Sequence, residues 1–153
     1  LASNIFQFSP VAFDAGGFII PAVAGARSIG TFLGVEFTGT DGRRRVANTW
    51  VTGTVGTDIV AYFSEDPLTI YQIQADGPIA QLQIGQQFDW TALAGNGTTG
   101  LSSVALATAS AAANAGLRVI GIPPAPDNVV GDAFTIVQVQ ISEHQFVADI
   151  ASV

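Results

Sequence analysis

Cysteine, lysine and methionine are absent from the 153 residues, and histidine occurs once. Without cysteine there is neither a disulfide nor a thiolate metal site. A single histidine excludes a multi-histidine metal site within one chain. The missing lysine removes Schiff-base chemistry and the phosphate-binding lysine of a P-loop. Charge itself is scarce: 11% of residues are charged, against about 25% in ordinary soluble domains. Twelve acids face five arginines, a net charge of −7, which argues against binding nucleic acid by neutralising its phosphates.

Hydrophobic residues make up 48% of the chain, and the mean hydropathy is +0.44. A long apolar run is nevertheless missing. The longest uncharged stretch, Trp90–Leu117, is rich in Gly, Ser and Thr, and its only large aliphatic residues are Leu93, Leu101, Val104, Leu106 and Leu117. A membrane-spanning helix needs about 20 predominantly apolar residues, so no membrane association is expected. Leu1–Phe13 carries no basic residue and is not expected to act as a secretory signal. A mass of 15.7 kDa fits one domain. It would expose roughly 7,300 Å² folded against about 22,800 Å² unfolded, enough burial for a core without staples. A water-facing monomer usually carries more charge. The composition therefore implies a domain that covers much of its surface with other protein chains.

Short strands are expected throughout. Leu1–Phe13 alternates loosely and reads as an edge strand or as an extended arm laid on a neighbour, with Phe6, Phe8 and Phe13 as candidate contacts; residues 14–153 read as a single β domain. Thr31–Phe37, the turn residues Thr38–Gly42 and the extended segment from Arg43 predict a β-hairpin. Asp58–Phe63 and Leu68–Ala75 predict two further strands, with Ile70 and Ile73 flanking Tyr71 and with Gln72 and Gln74 outward. Leu117–Ile122 and Phe134–Ile141 complete the set, the last placing Val137, Val139 and Ile141 on one face. For Ser102–Asn114 the alanines favour helix, but no apolar stripe recurs at helical spacing; a short strand followed by a loop is expected. With 17 Gly, the pattern implies a mainly β chain, a compact sandwich or barrel-like domain.

The candidate chemistry is thin. Gly95-Asn96-Gly97-Thr98-Thr99-Gly100 spells G-x-G-x-x-G, but no good strand precedes it and no acid follows about 20 residues on. A flexible loop is expected there. His144 has no nucleophile motif to serve and is expected to be a hydrogen-bonded surface or interface residue. Glu65-Asp66 and the acids of Asp127–Asp132 sit beside Pro or Gly, where turn formation by Asp and Asn side chains is the expected role. The latter segment does not match an EF-hand loop. Arg43, Arg44 and Arg45 form the sole basic cluster, a solvated hairpin arm or a contact to acidic groups of a partner. No cofactor, metal or catalytic residue is expected.

Four stretches together carry a family likeness: Ile20–Ala26; Gly34–Thr38 with Gly42–Arg44; Tyr71–Gly77 with Ile79–Gln81; and Leu117–Gly121 with Asp127-Asn128, Gly131–Ala133 and Glu143-His144. In these the chain resembles the small capsid decoration, or cement, proteins of tailed bacteriophages. The resemblance implies a virion protein on the outer capsid surface, bound to the lattice of the major capsid protein and assembled as a homotrimer. The rival reading is an adhesive or sugar-binding β-domain of a virion fibre, using Trp50, Trp90, Tyr62 or Tyr71 as stacking faces. A glycosidase using paired carboxylates comes third.

Overall fold

The computed structural model describes residues 3–149. Strand accounts for 41% and helix for 4%. The chain is therefore mainly β, as its composition implies. In chain order the strands are β1 (Pro10–Phe13), β2 (Ile19–Pro21), β3 (Gly30–Gly39), β4 (Arg44–Ala47), β5 (Gly56–Phe63), β6 (Ile70–Gln74), β7 (Gln87–Phe88), β8 (Leu117–Gly121) and β9 (Ile136–Ile141).

Two antiparallel sheets form a sandwich-like arrangement. The first runs β2-β1-β3-β4 with β5 also paired to β3; the second runs β6-β9-β8-β7. The expected hairpin is β3–β4, in register Val35↔Ala47 through Thr38↔Arg44. Its turn closes where the Gly39 N–H donates to the Arg43 carbonyl at 2.9 Å. In β9 the period-2 pattern holds: Val137, Val139 and Ile141 are buried. In β6 the alternation places Tyr71 and Ile73 inward opposite Val139 and Val137. Ile70 stands 55% exposed with Gln72 and Gln74. Gln72 and Gln74 are outward as expected, and Ile70 shares their face rather than that of Ile73, because residues three apart in a strand point to opposite faces.

The buried hydrophobics form two clusters, the second of which also takes in Ala12 and Ala22 from the side of the first sheet. Ile5, Val11, Ile19, Ile29, Phe32, Val35 and Trp50 cluster on the first. Phe88, Trp90, Leu106, Val119 and Val137 are among those on the second. Between the sheets, the Trp90 indole N–H donates to the Ala22 carbonyl at 3.0 Å. The Gln145 amide clamps the Phe13 backbone, accepting from its N–H at 2.8 Å and donating to its carbonyl at 3.1 Å.

Two segments differ from expectation. Within the segment read as an arm, residues 1 and 2 lie outside the described residues, while Ile5 and Val11 are fully buried and β1 sits between β2 and β3. The alternation there was loose because the strand is internal and contacts protein on several sides. Ser102–Asn114 contains no α-helix, as expected, but in place of the expected short strand it makes only isolated bridges. Leu106 bridges both Trp90 and Ala75, and only Thr108–Ser110 makes a helical turn, of the 3-10 type. Asp76 holds that turn by accepting from the Thr108 hydroxyl at 2.7 Å and its N–H at 2.8 Å. These bonds keep the Asp76 carboxyl below its ordinary pKa. This anchoring contributes fully above the ordinary carboxylate range and fades as pH falls through the lowered value.

Candidate interaction surface

The residues singled out from sequence do not converge on one site. Phe6 is half-buried, its ring lying over Gly95, where an added Cβ would come within 2.3 Å of it. Phe13 is half-buried too, edge-on to Phe63 at 5.7 Å and stacked on Phe146 at 5.9 Å. Phe8 alone of the three is open, 57% exposed.

The arginines are exposed but already partnered. Arg45 pairs with Asp41 at 3.1 Å and Arg43 approaches the same carboxylate at 4.0 Å. The Arg43 backbone N–H and the Arg45 guanidinium hold Asp41 below its ordinary pKa. Arg44 projects from the outer face of the first sheet. It donates to Glu36 and also, at 2.7 Å, to the Asp58 carbonyl. The Tyr62 hydroxyl donates to the other Glu36 oxygen at 2.8 Å. Bonding from Arg44 and then Tyr62 lowers the Glu36 pKa; bonding to Glu36 raises those of Arg44 and Tyr62. Cross-strand register explains the cluster: Glu36 lies opposite both Val46 and Val60, with Arg44 and Tyr62 on the diagonals. Beside this polar centre stand Val46 and Val60, both exposed.

The G-x-G-x-x-G stretch has structural causes. Asn96 Oδ1 accepts from the Thr98 and Thr99 N–H groups at 2.8 and 3.2 Å. The Asn48 amide donates to the Thr99 carbonyl at 2.9 Å, and Gln7 N–H to the Gly100 carbonyl at 2.8 Å. Gly95 makes room for Phe6, and Gly100 has φ +73°, a left-handed conformation that favours glycine. The expected flexible loop is thus a pinned turn, and no helix follows it. The acid-rich turns behave as expected: Asp66 accepts from Leu68 N–H at 2.8 Å, and Asp132 from Val129 N–H at 2.7 Å. Among the described residues, no group of three or more His, Cys, Asp or Glu is placed to hold a metal ion. Among them, too, no helix is long and apolar enough to cross a membrane.

His144 is not at the surface. It is fully buried, its Nδ1 accepting from Phe146 N–H at 3.1 Å. Nothing in a single strand-end residue signals this; the parallel bridge between Ser28 and His144 creates the burial. Next to it, burial raises the Glu143 pKa, helped by the negative charges of Asp149 and Asp89 and opposed by Arg27. A raised carboxyl pKa means that folding favours the protonated form. Its stabilising contribution is full in acid and is lost as pH rises through the raised value. Glu143→Gln should therefore raise the melting temperature at neutral pH. It should give no gain below the ordinary glutamate pKa of about 4.3. Melting curves across that range check this; an equal gain at both ends would contradict it.

The broadest feature is apolar exposure. Val46 at 78%, Leu82 at 76%, Leu68 at 74% and Val55 at 72% head a series of exposed large hydrophobics that also includes Phe18, Phe134 and Phe146. A scan against protein-family models and searches of curated proteins and of solved structures found no match to this chain.

Proposed function

We propose that this chain is a structural virion protein that coats and stabilises the outside of a bacteriophage capsid. It does so by binding the lattice of the major capsid protein, as a homotrimer, and performs no covalent chemistry. The observation that carries the reading is the wide exposure of large hydrophobics on a chain with so little charge. Exposed apolar residues that gather on one face mark contact with other macromolecules, and Val46 and Val60 flank Glu36 on one face of the first sheet. Here the exposed residues come from both sheets, which suits repeated contact with neighbouring copies and a shell. The capsid itself comes from the family likeness of the sequence. Binding only the assembled lattice lowers the free energy of that state by mass action, and repetition over many sites lets modest contacts suffice.

The test is heat or pressure release of the genome from particles with and without the protein. A higher release threshold with the protein bound is expected; equal thresholds would refute the stabilising role. Replacing Arg43, Arg44 and Arg45 together by Ala should reduce attachment more at low salt than at high salt, where exposed charges are already screened. The fibre reading predicts instead a hit on a glycan array, which a decoration role does not.

A further inference from the structure

The two sheets part on the side of β6. A cavity of ≈ 520 Å³ opens there, lined by Phe8, Pro10 and Thr31 from the first sheet side and by every residue of β6. Side chains alternate along a strand. A groove that meets all five residues from Ile70 to Gln74 therefore reaches the strand's edge and backbone, while Leu117, Val139 and Ile141 extend it inward between the sheets.

That edge has open hydrogen-bonding groups. β6 is terminal in its sheet, paired only to β9. The Ala75 N–H donates to the Thr135 carbonyl, so by alternation Ile73 and Tyr71 also point their backbone groups at β9. Ile70, Gln72 and Gln74 point theirs outward. Of these, the Gln74 carbonyl accepts from Leu106 N–H at 2.9 Å, and Asp76 N–H donates to the Leu106 carbonyl at 2.9 Å. The chain has thus begun to add a strand at one end of this edge, through the parallel Ala75↔Leu106 bridge, and stops after one residue. Natural sheets usually blunt such an edge with charge, proline or a bulge; Ile70-Tyr71-Gln72-Ile73-Gln74 carries none of these.

We propose that β6 accepts a donated strand. An uncharged, extended segment of a partner protein chain pairs with the outward groups of Ile70 and Gln72 and the Gln74 N–H. It sets alternate apolar side chains into the groove. Backbone pairing gives such a complex its affinity and the pockets for alternate side chains give its selectivity. The lining specifies the chemistry: it contains no Asp, Glu, Arg or His, so a charged residue entering it would lose water and find no partner. The volume lies within the range of pockets that enclose small ligands, roughly 300–1,000 Å³, room for the alternate side chains of a short strand. Phe8, which also lines the cavity, adopts φ 67°, uncommon for a bulky residue, and stands exposed.

A second copy offering its own β6 fits less well. Antiparallel pairing about Gln72 would set Thr69 of one copy against Ala75 of the other, where Leu106 already holds the outer edge. The proposal does not rest on the capsid reading and stands or falls on the isolated protein.

The test uses the full chain, isotope-labelled, and a blocked hexapeptide of alternating threonine and valine as probe. Amide exchange at Ile70 and Gln72 is expected to slow at least tenfold at saturating peptide. The same peptide N-methylated on alternate residues, or carrying lysine in place of valine, should leave exchange unchanged. Gln72→Pro removes an outward N–H without touching the ladder to β9, a position where edge strands tolerate proline. It should melt like the parent and fail to bind. If that variant does not fold, the N-methylated peptide supplies the comparison. No slowing at Ile70 and Gln72, or equal slowing by the N-methylated peptide, would overturn the proposal. So would protection that grows with protein concentration without peptide, which would assign the edge to a second copy.

Discussion

Removal of residues 1–13 is expected to leave a chain that no longer unfolds cooperatively. Ile5 and Val11 are fully buried, and each contributes about 1.5–3 kcal/mol through burial. The larger loss is architectural. β1 lies between β2 and β3, in register Val11↔Pro21 on one side and Val11↔Gly30 on the other. Without it β2 has no neighbour in the sheet. The bonds from Ile29 and Phe32 to the Val11 and Ser9 carbonyls go as well. Against a total stability of about 5–15 kcal/mol for a domain, this exceeds what the first sheet can lose. A thermal melt followed by circular dichroism reads the outcome. A truncated chain melting cooperatively within a few degrees of the parent would show instead that the segment is a dispensable arm, whose loss could affect attachment alone.

The second large effect is expected at Trp90. Its ring is buried in the core of the second sheet and its indole N–H reaches the first sheet side at Ala22. Trp90→Ala should cost about 3–5 kcal/mol, through lost contacts and the cavity left behind. Gly116 passes so close to this ring that an added Cβ would lie 2.2 Å from it. Gly116→Ala should therefore cost about 1–3 kcal/mol, the usual range for overpacking. The two changes should not add. With Trp90 removed the methyl group has room, so the double variant should be less destabilised than the sum of the single ones. Urea titrations of the four proteins measure the coupling. Strict additivity would mean that the backbone at Gly116 moves freely away from the ring.

Strand positions were legible wherever a local period and turn residues sufficed. The β3–β4 hairpin and the alternation of Val137, Val139 and Ile141 need only the geometry of a strand with one buried face. The acid-rich turns were legible for a similar reason, because Asp and Asn side chains bond backbone two or three residues away. The candidate surface was only partly legible. Composition implied exposed apolar area, since too few charges exist to cover the molecule. Which residues present that area depends on how the sheets pair and pack.

What the sequence by itself determined is therefore the class of the fold, the shortage of charge and the absence of cysteine and lysine chemistry. Those follow from residue types and near neighbours, which no packing can change. Tertiary structure decided the rest. It placed Pro10–Phe13 inside the first sheet, because Gly30, distant in sequence, pairs with Val11, and it bridged Ile5 to Trp50. It buried His144 against Ser28 and turned a glycine-rich motif into a pinned turn under Phe6. It left β6 as an edge, because strand order in a sheet is set by long-range pairing and by nothing in Ile70–Gln74 itself.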